Sequence, residues 1–131
     1  MYRRVLLVED DPVLSRIVER NLAARGVAVQ TAHNAEEAVR RALAERPDLL
    51  LLDLALPDRS GWDVLRVLHA RGVDIPTIVL TGARVGPRHR AEFHPVAYLP
   101  KPFPPEALLR LVCGPQAVPA PLEPGDEEED S

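Results

Sequence analysis

Four apolar runs in this 131-residue chain each end on side chains able to do chemistry. VLLV (5–8) runs into Glu9, Asp10 and Asp11, and LLLL (49–52) runs into Asp53. IVL (78–80) runs into Thr81, and YLP (98–100) runs into Lys101. If these runs lie side by side, a set of carboxylates converges with one hydroxyl and one ammonium. Clustered carboxylates repel one another, and a hard divalent cation with oxygen ligands, here Mg2+, relieves the repulsion. A cation held by few protein groups keeps positions open for phosphate oxygens. Lysine offers such oxygens a point charge, and a hydroxyl offers a donor. The pattern suits a site that receives a phosphoryl group on a carboxylate, a competent nucleophile toward phosphorus. Each member alone has a plainer reading. An aspartate after a strand commonly caps the next helix, and Thr81 alone is an ordinary β-branched strand residue. Asp11 precedes Pro12 and suits such a cap. Lys101 is the single lysine among 16 basic residues, so arginine meets every other cationic need.

The elements that must position these residues follow from periodicity. RRVLLV (3–8) reads as a buried strand. Asp11 and Pro12 then open a helix in which Val13, Leu14, Ile17, Val18 and Leu22 recur at helical spacing until Gly26 stops it. VAVQTA (27–32) is a second strand. Asn34 with Glu37 three residues on resembles a capping box and starts a helix through about Glu45. LLLL is the third strand, Pro57 to Gly61 a turn, and a helix through Val64, Leu65 and Leu68 ends near Gly72. IPTIVL (75–80) is the fourth strand and VAYL (96–99) the fifth; between them only a short helix around 87–93 fits. A last helix covers Glu106–Val112. Strands without alternation are buried on both faces, and helices must cover both. The chain is therefore expected to be α/β, a doubly wound five-stranded parallel sheet with its fourth helix short or irregular. Ligands of such sheets sit at the carboxyl ends of the strands, where all the residues above fall.

Composition narrows the function classes. No stretch of 18 apolar residues exists, so no spanning helix is expected, and the N-terminal apolar run is too short for a signal peptide. The single Cys113 cannot form an internal disulfide and suits a cytoplasmic location. The net charge of −4 is uneven: six of the 20 acidic residues lie in 114–131, leaving 14 against 16 basic residues in 1–113. Neither part carries the basic footprint of a nucleic-acid binder. Residues 114–131, GPQAVPAPLEPGDEEEDS, read as a disordered Pro-rich acidic tail.

Four motifs in this order resemble the receiver domain of two-component response regulators, a CheY-like, flavodoxin-like fold. VLLVEDD (5–11) is similar to the acidic pair, LLLLDLALPDRSGWDVL (49–65) to the phosphoacceptor motif, IVLTGA (78–83) to the hydroxyl segment and YLPKPF (98–103) to the lysine-proline segment. The resemblance implies a receiver domain over 1–113, either stand-alone or cut from something longer. It implies that Asp53 accepts a phosphoryl group from a histidine kinase or phosphotransfer protein. Glu9, Asp10, Asp53 and the backbone carbonyl of Ala55 would hold Mg2+, with Thr81 and Lys101 binding the phosphoryl oxygens. Thr81 and Tyr98 would form the switch that alters partner binding. Such a protein is a bacterial signalling switch in the cytoplasm, not an enzyme in the ordinary sense. It binds no nucleic acid or membrane itself and is expected as a monomer or weak dimer.

Two departures from the family stand out. The stretch from Thr81 to Lys101 is short, carries Pro87 and Pro95, and replaces the usual small-residue turn with FHPVA (93–97). Ala55 and Ala83, flanking the acceptor, have no side chain to orient an attacking water, so an aspartyl phosphate here is expected to hydrolyse slowly. The runner-up is a receiver-like interaction module that works without phosphorylation. An aspartate-nucleophile phosphatase is disfavoured, since it wants a general acid where Ala55 stands. A P-loop site is excluded for want of GxxxxGKS/T.

Overall fold

The four leucines at 49–52 set the architecture because successive strand residues face opposite sides. In the computed structural model, which describes residues 2–82 and 92–114, they form β3 (Leu49–Asp53), buried throughout. Leu50 and Leu52 enter one apolar cluster, and Leu49 and Leu51 the other. β3 is the central strand of a five-stranded parallel sheet, order β2-β1-β3-β4-β5. Its partners are β1 (Arg4–Val8) and β4 (Thr77–Thr81); the edges are β2 (Ala28–Ala32) and β5 (Ala97–Pro100). Burying each leucine side chain contributes roughly 2 kcal/mol, and the run must be unbroken because both faces are covered.

Helices α2 (Ala35–Ala44) and α3 (Gly61–Ala70) cover one face. Ala35, Ala38 and Ala42 of α2 and Trp62, Val64, Leu65 and Leu68 of α3 meet Leu6, Val8, Leu50, Leu52 and Val79 there. Helices α1 (Pro12–Ala23) and α4 (Pro105–Cys113) cover the other, where Val18, Leu22, Leu108, Leu109 and Val112 meet Val5, Leu7, Leu49, Leu51, Ile78 and Leu80. The sheet is doubly wound, as expected. Asp11 caps α1, accepting from the backbone N–H of Val13 at 2.9 Å, and Asn34 caps α2 through that of Glu37 at 2.8 Å. Gly26, at φ 82°, takes the left-handed conformation that ends α1.

Two strand ends differ from expectation. Asp53 and Thr81 are the last residues of β3 and β4 rather than the first beyond them. The ladder carries them: Asp53 pairs with Leu80 and Thr81 with Pro100. The short helix expected around 87–93 falls mainly outside the described residues, as do Ala83 and the tail from residue 115 onward. At the described end of that stretch, Glu92 and Phe93 are helical. Phe93 stacks on Trp62 with ring centroids 5.1 Å apart and an interplanar angle of 11°. The Arg66 guanidinium lies 5.5 Å from the same ring's centroid. Phe93 thus fastens the entry to β5 onto α3.

Candidate functional site

The carboxyl ends of β1, β3, β4 and β5 bring the chemical residues together. Glu9 follows β1, and its N–H donates to Ala32 O of β2 at 3.0 Å. Asp53 ends β3, Thr81 ends β4, and Lys101 follows β5 with its N–H donating to Thr81 O at 2.7 Å. Because the strands are parallel and neighbouring, residues from both ends of the chain reach one edge. Lys101 Nζ lies 2.8 Å from Glu9 Oε1 and 3.1 Å from Asp53 Oδ2. Glu9 and Asp53 are 1% and 3% exposed, so the ion pairs sit out of bulk water. Asp53 Oδ1 accepts from Ala55 N–H at 3.1 Å, and Glu9 Oε2 from Asp11 N–H at 3.1 Å.

Burial pushes the Glu9 carboxyl above its usual pKa, and the negative charge of Asp53 adds to that; the lysine opposes both. For Lys101, burial pulls the ammonium down, but its bonds to Glu9 and Asp53 outweigh burial and hold it above the ordinary lysine value. The lysine is therefore charged at neutral pH.

One oxygen each of Glu9, Asp10 and Asp53 lie within 4.8 Å of one another, Asp10 exposed and the other two buried. Glu9 Oε1 is sealed from solvent and, beyond its ion pair, receives no hydrogen bond among the described residues. An all-oxygen donor set with an exposed carboxylate at the mouth fits a hard divalent cation. Asp11 stands apart, its carboxylate turned to the α1 cap as its sequence context predicts.

Ala55 is exposed and forms an antiparallel bridge with Ser60 across the β3–α3 loop. Gly61 closes that loop: its N–H donates to Leu54 O at 2.9 Å, and a Cβ there would collide with the Asp53 carbonyl oxygen. Thr81 is buried at the end of β4. Tyr98 lies on β5 beside Val79, half-buried against the cluster that holds Trp62 and Phe93, with its hydroxyl oxygen buried.

Sequence reasoning missed two residues. His33, the residue before the α2 cap, donates from Nδ1 to Glu9 O at 3.0 Å. Asp58, read only as part of a turn, accepts from the N–H groups of Ala35 and Glu36 at 2.8 and 3.1 Å. Neither carries a periodic or motif signal; both contacts appear only once β2 and β3 stand on either side of β1. Beside the site, Asp11, Val13, Leu14, Ile17, Lys101, Pro102 and Phe103 line an open cleft of about 500 Å³. Val13 and Ile17 are 62% and 44% exposed there, an apolar surface at the rim of a charged pocket. No described helix is long and apolar enough to cross a membrane.

Known proteins share this sequence pattern and fold. The family model of the response regulator receiver domain matches residues 5–113. Response regulator MprA of Mycobacterium ulcerans is 38% identical over 108 residues, covering 81% of this chain and 47% of its own. The chain thus spans about half the length of the curated relatives it matches. A CheY-like receiver domain protein of Methanospirillum hungatei superposes with a TM-score of 0.78 at 27% identity, covering 86% of this chain and 91% of that one. A response regulator of Burkholderia pseudomallei, solved with a phosphorylated aspartic acid and a calcium ion, superposes with a TM-score of 0.74 at 30% identity. That match covers 88% of this chain and 68% of that one.

Proposed function

The chain belongs to the response regulator receiver domain family, and from that premise we propose that it is a Mg2+-dependent phosphoacceptor acting through Asp53. The observation that carries this reading is the Lys101 ammonium bound at once to Asp53 and Glu9 at the carboxyl edge of the sheet. A carboxylate oxygen of Asp53 attacks the phosphorus of a phosphohistidine on a histidine kinase or phosphotransfer protein. An O–P bond forms as the P–N bond breaks, and its electron pair returns to the histidine nitrogen. Negative charge grows on the equatorial oxygens, and Lys101 is the fixed cation beside them. Glu9, Asp10, Asp53 and the Ala55 carbonyl would hold Mg2+, which supplies further charge neutralisation when bound. Thr81 donates its hydroxyl to the phosphoryl group.

The apolar rim at Val13, Ile17 and Phe103 supports docking of the phosphodonor protein beside the pocket. Phosphorylation then shifts a pre-existing equilibrium through Thr81 and Tyr98 and changes the binding of a downstream protein. The domain works as a signalling switch, catalysing at most its own phosphorylation and dephosphorylation. Fluorine NMR with beryllofluoride and Mg2+ tests the reading. Bound-fluoride resonances on the wild type, lost in Asp53→Asn, are expected; their absence from the wild type favours a phosphorylation-independent module.

A further inference from the structure

We propose that Asp58 is a positioning residue for the cation site, tying the loop that carries the Ala55 carbonyl to the N-terminus of α2. The inference rests on the Mg2+-dependent reading of the acceptor site. The loop runs from residue 54 to residue 60. Its ends are fastened by the Gly61 N–H on Leu54 O, the Ala55–Ser60 bridge and the Ala55 N–H on Asp53 Oδ1. Leu54 and Leu56 rest half-buried on the core, but residues 57–60 are exposed. At this exposed apex Asp58 reaches across to α2. Its Oδ1 accepts from Ala35 N–H at 2.8 Å and its Oδ2 from Glu36 N–H at 3.1 Å.

Asn34 caps α2 through Glu37 N–H at 2.8 Å, and Asp58 takes the two first-turn N–H groups that Asn34 leaves. What Asp58 adds is a link between two loops. The residue before the cap, His33, donates to the Glu9 carbonyl at 3.0 Å. The corner at residues 33–36 therefore touches both acid-bearing loops, Glu9 through His33 and the Asp53 loop through Asp58. This shared corner adds a second tie between Glu9 and the loop that carries the Ala55 carbonyl, beside the direct β1–β3 ladder that pairs Val8 with Leu52. The Ala35 N–H, ahead of that of Glu36, also holds the Asp58 carboxyl below the usual range, so the link is ionised at neutral pH. Outer contacts that orient ligands govern cation affinity even where they never touch the ion.

Mg2+ titration by calorimetry, with melting followed in parallel, tests the link on the full chain. Asp58→Ala is expected to bind Mg2+ about tenfold more weakly than wild type, the lower range for loss of a contact behind a ligand. Asp58→Asn, which keeps one acceptor oxygen, should fall between the two. If Asp58→Ala melts lower but binds Mg2+ as wild type does, the residue merely caps α2 and the inference is wrong. Should Asp58→Ala fail to fold, Asp58→Asn decides: weaker binding supports the link, and wild-type affinity overturns it. A wild type that binds no Mg2+ overturns the function reading and this inference together.

Discussion

Replacing Lys101 with methionine keeps the aliphatic stem and removes the ammonium that bridges two buried carboxylates. At an effective dielectric constant of about 20, charges 2.8 and 3.1 Å apart attract by on the order of 5–6 kcal/mol each. Desolvation of Lys101, Glu9 and Asp53 consumes most of that. A net loss of about 3 kcal/mol is expected at pH 7.5 without Mg2+, the low end for breaking one side of a buried ion pair. For a domain of this size that lowers Tm by roughly 10–15 °C. The loss must depend on conditions. Burial holds the Glu9 carboxyl high and loss of the lysine raises it further, so the deficit should shrink as pH falls from 7.5 to 5. Mg2+ should shrink it as well, because the cation replaces the missing charge. Chemical unfolding of wild type and Lys101→Met at both pH values, with and without Mg2+, measures this. A deficit equal in all four conditions would show that Lys101 acts only by packing and would refute the electrostatic reasoning.

Further outcomes are expected. Glu9 has a folded pKa raised above 4.5, so the folded protein keeps a proton that the unfolded chain has lost. Without divalent cation, Glu9 therefore makes stability fall as pH rises from about 4.5 through its raised value. Glu37, held low by the His33 backbone N–H, works oppositely and loses its contribution as pH drops below 4.5. Mg2+ at 100 times its Kd should raise stability by about 2.7 kcal/mol at neutral pH, reversed by EDTA. Gly61→Ala forces a methyl group against the Asp53 carbonyl and should cost about 1–3 kcal/mol in chemical unfolding while slowing phosphorylation. Gly82→Ala, which meets nothing within 4 Å, should stay within about 0.5 kcal/mol of wild type. The aspartyl phosphate should persist for minutes or longer in Mg2+, since Ala55 offers no side chain to orient water; loss within seconds would contradict this.

The residues at the sheet edge were legible because each terminates an apolar run, and strand direction alone carries Glu9, Asp53, Thr81 and Lys101 to one side. The leucine run also revealed its own position, since only a strand covered on both faces tolerates four leucines. Strand ends slipped by a residue at Asp53 and Thr81 because ladder pairing, not hydropathy, decides where a strand stops. Gly61 was readable as a turn residue, but its physical requirement is the carbonyl of Asp53 eight positions earlier. The links of Asp58 to Ala35 and of His33 to Glu9 join residues 23 and 24 positions apart. Such contacts depend on the packing of separate units, and no local pattern encodes them. Phe93 likewise read as a departure until its ring was found against Trp62.

The most direct test is where the phosphoryl group goes. After incubation with phosphoramidate and Mg2+, borohydride reduction converts an aspartyl phosphate to homoserine, which peptide mass spectrometry locates. Conversion at Asp53, dependent on Mg2+ and absent from Asp53→Asn, is the predicted result. No conversion in the wild type, or conversion at another carboxylate while Asp53 stays intact, would contradict it.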